Sequence, residues 1–159
     1  MNLKTAQSLC TALPPDRVLR LARGVLRVED EQNLTTYQIL LLSLANWLEG
    51  YRICDEAQTM LVFQEFEKTL KWYAEDIEKL LVSVETLERA DPALPYLVMM
   101  HDYRYFLMHN YNGFFDIREA KFLPELPAPS VTYIAVDCIA LMARVRDAEQ
   151  LLGRLDRAL

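Results

Sequence analysis

From residue 63 to residue 87 the apolar side chains recur in alternating steps of three and four: Phe63, Phe66, Leu70, Tyr73, Ile77, Leu80, Val84 and Leu87. A half-buried strand repeats every second residue, whereas steps of three and four keep one face of an α-helix apolar. Glu65, Glu67, Lys68, Lys71, Glu75 and Asp76 stand between them and supply a solvated opposite face. The pattern predicts one long helix over about residues 55–90. Packing inside a bundle is its expected use, ahead of a coiled-coil seam.

The rest of the chain fits around that helix. A short helix is expected over residues 2–12, stopped before Pro14-Pro15. A second follows from Arg17 to about Val28, with Asp16 as its cap and Leu19, Ala22, Val25 and Leu26 on one side. Thr35-x-x-Gln38 has the form of a capping box, and the helix it opens is expected to run to about Arg52, with Gly50 marking its end. Residues 39–44, extended by Ala45, Trp47 and Leu48, are too short an apolar run to span a bilayer and read as a buried helix. Asp91-Pro92 ends the long helix, and another is expected from about Pro95 to Tyr111, stopped by Asn112-Gly113. A stiff proline-rich connector, 124–130, leads to a last helix over 131–157 capped by Ser130, with Ile134, Cys138, Leu141, Val145, Ala148, Leu152 and Leu155 along one face. The expected class is all-α: a helical bundle with long antiparallel amphipathic helices. Residues 1–123 form its core, and 131–159 pack on the same domain or on a dimer partner.

Charge and cysteine usage narrow the function. The net charge of −6 argues against a general nucleic-acid coat. It is unevenly spread, because residues 1–28 hold five Lys or Arg and one acid. Cys10, Cys54 and Cys138 are widely spaced and odd in number, as expected of reduced, buried thiols in a cytoplasmic protein. No Cys/His cluster suggests a metal site, and no cofactor is expected. The N-terminus lacks the apolar stretch of a signal peptide. Glycine-rich phosphate loops, Gly-x-Ser-x-Gly and His-Glu-x-x-His are all absent from the sequence.

The two histidines, His101 and His109, fall in one expected helix with Arg104 and Tyr111. A neutral histidine can take a proton from an RNA 2′-hydroxyl, and its protonated form can return one to the leaving oxygen. An arginine can hold the phosphate and offset transition-state charge. Such chemistry uses no metal. Tyr103, Tyr105, Phe114 and Phe115 add aromatic surface around His109.

The pattern Arg104-x4-His109-x-Tyr111 resembles the signature of the HEPN superfamily, and within it the HepT-like toxins and ribonucleases. Asn112-Gly-Phe-Phe-Asp116 is similar to the turn that follows in those proteins. The resemblance implies an α-helical homodimer that cleaves RNA without metal, with Arg104 and His109 catalytic. It also implies a nucleotidyltransferase antitoxin as partner, with Tyr111 as the modified or site-supporting residue. One departure is Tyr105, where the family usually has asparagine or another polar residue.

Arg17, Arg20, Arg23 and Arg27 form a basic strip on the second expected helix, a candidate contact for RNA phosphates or an acidic partner. Two functional readings follow. One is a HEPN-like, metal-independent endoribonuclease or toxin component. The other is a non-catalytic all-helical protein-interaction module: a scaffold, adaptor or inhibitor. Neither reading involves a membrane.

Overall fold

The computed structural model describes residues 1–72, 74–87, 95–100, 105–109, 133–155 and 157. The body of the chain is helical, in keeping with the expected class. Among the described residues the α-helices are α1 (Leu3–Leu9), α2 (Pro15–Arg20), α3 (Thr36–Gly50), α4 (Glu56–Trp72), α5 (Ala74–Thr86) and α6 (Cys138–Leu155). Strands β1 (Pro95–Met100), β2 (Tyr105–His109) and β3 (Tyr133–Val136) form a small antiparallel sheet in the order β2-β1-β3. The chain divides into two compact units, Met1–Thr59 with Ala140–Leu159, and Met60–Ile139.

Local chemistry sets the helix starts in the first unit. Asn2 Oδ1 accepts from the Thr5 N–H at 2.8 Å and caps α1. Helix α2 starts two residues earlier than expected, because Pro15 fills its first position, where a missing N–H leaves nothing unpaired. Asp16 therefore lies inside the first turn and pairs with Arg20 instead of capping. The expected continuation to Val28 is interrupted. Residues Leu21–Val25 form a π turn, closed by the Leu26 N–H donating to the Leu21 carbonyl at 2.9 Å, and Arg27 takes a left-handed φ of 48°. This wider turn shifts the helix phase. The buried face is Val18, Leu21 and Ala22; of the expected Leu19, Ala22, Val25 and Leu26, Ala22 is buried and the other three are half-buried.

The capping box forms as expected. Gln38 N–H donates to Thr35 Oγ1 at 3.2 Å, and Thr35 N–H donates to Gln38 Oε1 at 2.9 Å. The run from Ile39 to Ala45 is buried without a break, so α3 is covered on every side, as a helix apolar all round requires. It stops at Gly50, and Arg52 takes a left-handed φ of 55°. A second reciprocal box opens α4, with Asp55 and Gln58 exchanging bonds of 2.8 Å each. At the N-terminus, Leu3 N–H donates to the Glu31 carbonyl and Leu34 N–H to the Met1 carbonyl, which ties the polar link 29–33 to the first residues.

In the second unit the expected long helix over 55–90 is described as α4 and α5, ending at Thr86. Val62, Phe63, Leu80 and Val84 are buried, and Leu87, at the end of the stripe, is exposed. The larger correction falls on residues 95–100 and 105–109 of the helix expected from about Pro95 to Tyr111. They form β1 and β2, paired with Pro95 opposite His109 and Met99 opposite Tyr105. The physical reason lies in the short apolar runs. Tyr96-Leu-Val-Met-Met and Tyr105-Phe-Leu-Met are of strand length, where periodicity does not separate strand from buried helix. Pro95 sits at the first residue of its strand, a position that needs no ladder donor. The last helix is corrected likewise. Tyr133-Ile-Ala-Val pairs with β1 as β3, and α6 begins only at Cys138. Aromatic and β-branched side chains favour the sheet there. The connector 124–130, with Ser130, lies outside the described residues.

Candidate binding pocket

The basic strip is dispersed by the fold. Arg17 is buried, with its guanidinium fork closed on Glu49: Nη2 donates to Oε1 at 2.8 Å and Nε to Oε2 at 3.3 Å. A third contact, Nη1 to Glu56 Oε2, spans 3.4 Å. Burial pulls the Arg17 pKa down, but the hydrogen bond and charge of Glu49 and the charge of Glu56 outweigh it, and the guanidinium is held above its ordinary value. Arg20 pairs with Asp16 and with Glu56, and Arg23 pairs with Glu31 at 2.8 Å. Arg27, beyond the π turn, is exposed and has no ion-pair partner among the described residues. Three of the four arginines thus serve the first unit's own structure.

Of the proposed nuclease set, His109 is the last residue of β2, on a strand and not on the expected helix. Arg104 and Tyr111 lie outside the described residues, as do Tyr103, Phe114 and Phe115.

The first unit holds a pocket that no sequence motif announces. It has a volume of about 300 Å³ and lies among the end of α1, helix α3 and helix α6. That volume is at the lower end of the range for small-ligand sites, roughly 300–1,000 Å³. Trp47 in the last turn of α3 and Tyr51 at its C-cap form an aromatic wall with ring centroids 5.7 Å apart and planes tilted by 52°. Leu141, Val145 and Ala148 of α6 supply the aliphatic wall, and Arg144 lies between them in sequence. Arg144 is exposed and has no ion-pair partner among the described residues, unlike Arg146, which faces Glu149 at 4.0 Å.

Three polar atoms of the lining are already bonded within the protein. Asn46 Oδ1 accepts from the Ala12 N–H at 2.9 Å, and Ser43 Oγ donates to the Ile39 carbonyl at 2.7 Å. Cys10 Sγ donates to the Leu42 carbonyl at 3.8 Å, and burial pushes its thiol up to about 11. Cys10 is therefore a protonated, packed side chain at neutral pH and not a nucleophile. All three cysteines are buried and unbridged, as the sequence suggests. No histidine, aspartate or glutamate lines the pocket.

The signal for the pocket was present but diffuse. Trp47 and Tyr51 are spaced i, i+4, and so are Leu141 and Val145, spacings that serve a core equally well. No protein-family profile, curated protein or solved structure matches the chain. Among the described residues, no helix is long and apolar enough to cross a membrane.

Proposed function

We propose that this protein is a non-catalytic helical interaction module that binds a partner protein at the pocket face of its first unit. The observation that supports the reading is the chemistry of the lining: aromatic and aliphatic walls, one cation with no ion-pair partner among the described residues, and no histidine, aspartate or glutamate suited to general acid–base work at neutral pH. The surface beside the pocket favours a polypeptide over a small solute. Arg144, Ala148, Leu151 and Leu155 follow one another at steps of four, three and four, so they share a face of α6. Leu151 and Leu155 are 59 % and 53 % exposed, which extends apolar surface away from the pocket.

The test is a selection of displayed peptides on the full chain, with each enriched peptide remeasured against Trp47→Ala. The reading requires a common apolar sequence pattern whose binding weakens at least about tenfold in a folded Trp47→Ala variant. Selections that enrich nothing, or peptides indifferent to Trp47, would remove it.

A further inference from the structure

The pocket and the strip that leads from it differ in kind, and the difference identifies the end of the partner that enters. The pocket joins a cation to two apolar walls, while the strip is apolar and runs only one way. Among the described residues, the exposed large apolar side chains of α6 are Leu151 and Leu155, both on the C-terminal side of Arg144. An internal segment crossing the pocket needs a track on both sides. A chain terminus needs one.

We propose that the pocket captures the free C-terminal carboxylate of a partner protein whose last residue is a large apolar one. This rests on the interaction reading and names what that site recognises. The lining is rich in donors and lacks carboxylates. Arg144 offers a guanidinium fork with no partner among the described residues, Asn46 keeps its amide N–H groups after its oxygen is used by Ala12, and Trp47 carries an indole N–H. A carboxylate accepts from such groups with charge-assisted strength, and the fork of arginine suits its two oxygens. The side chain on the same α-carbon then meets Trp47, Leu141 and Val145. A cavity of about 300 Å³ suits one residue and its carboxylate, not a helix. From Arg144 to Leu155 the helix rises about 16 Å, the span of about five extended residues. The upstream residues of the partner therefore have a surface of matching length. Chain-end carboxylates are a known target of peptide recognition, and here one side-chain cation takes the role that backbone donors take elsewhere.

The experiment uses the full chain and fluorescein-labelled octapeptides ending in Leu, Ile or Phe, each made as the free acid and as the C-terminal amide. Fluorescence polarisation gives both affinities. The proposal requires the acid to bind about tenfold or more tightly than the amide. Arg144→Gln, on an exposed helical position, should erase that ratio, and Arg144→Lys should restore part of it. Equal binding of acid and amide overturns the proposal while leaving a peptide-binding module in place. No binding of either form, together with a failed display selection, removes the module as well.

Discussion

Arg17 Nη2 and Glu49 Oε1 lie 2.8 Å apart, with only 7 % and 11 % of their side chains exposed, and the Arg17 Nε closes a second bond to the same carboxylate. A buried fork of this kind links α2 to α3 and cannot be opened on one side alone. Glu49→Gln leaves a guanidinium largely out of water with only Glu56 to face, and should lower stability by about 3 kcal/mol. Arg17→Met with Glu49→Leu together should recover most of that loss, because neither charge is then stranded. Urea unfolding of the native protein, Glu49→Gln and the double variant checks the order. A double variant as unstable as Glu49→Gln would mean that the pair acts through packing and not through charge.

The contact between Gly50 and Ala12 gives a second prediction, of opposite origin. A methyl group at Gly50 would overlap the Ala12 side chain, so Gly50→Ala should destabilise by about 1–3 kcal/mol although alanine is the better helix former. Gly24 is the internal control. A methyl there meets nothing within 4 Å, and Gly24→Ala should be neutral or stabilise by about 0.5 kcal/mol. If the overlap is the cause, Ala12→Gly should rescue Gly50→Ala. Thermal unfolding of the four variants measures this.

The same glycine shows what is legible in a sequence and what is not. Gly50 was expected to mark the end of a helix, and α3 does end there. Its close approach to Ala12 involves residues 38 apart and leaves no local trace. Local chemistry is readable wherever neighbours complete it, as at Thr35 and Gln38, or where a run that is apolar but for Ser43, from Ile39 to Ala45, calls for a covered helix. The segments around Leu97, Leu107 and Ile134 are not legible as strands, because a strand's identity depends on its partners. Each run is short enough for either structure, and the pairing of β1 with β2 and β3 decides. The ion-pair partners of the arginine strip are not legible for a similar reason. The π turn at Leu21–Val25 alters the phase, and Glu49 and Glu31, distant in sequence, claim Arg17 and Arg23. The pocket draws on three separated elements, so its residues looked like ordinary core.

Cys10 makes stability depend on pH in the alkaline range. Its thiol is neutral when protonated, and burial raises its pKa from 9.0 to about 11. Between those values the folded protein holds a proton that the unfolded chain releases, so stability falls as pH rises. The contribution is complete below pH 9 and should be lost by about pH 11, with a change on the order of 2 kcal/mol. Urea midpoints of the native protein and Cys10→Ala at pH 8 and at pH 10.5 isolate it. The gap between the two proteins should narrow at the higher pH. A constant gap would mean that Cys10 gains no protection from burial. Alkylation of Cys10 at pH 8 should likewise be slow in the folded protein and fast in urea.

The nuclease reading and the interaction reading part over His109. Acid–base cleavage of RNA needs a histidine and a phosphate-binding arginine converging on one scissile bond. The resemblance to the HEPN superfamily places Arg104, His109 and Tyr111 on a helix, whereas His109 ends strand β2 opposite Pro95 of β1. The pocket of the first unit offers no histidine in compensation. Under the proposed interaction reading, highly purified protein incubated with several RNAs in EDTA should give product at the rate of the buffer control, and His109→Ala should be indistinguishable from the native chain. Cleavage that survives chelation and disappears in His109→Ala would reverse the assignment and make the first reading the right one. Cleavage that persists in His109→Ala would trace to a contaminant, which a second purification separates from the chain.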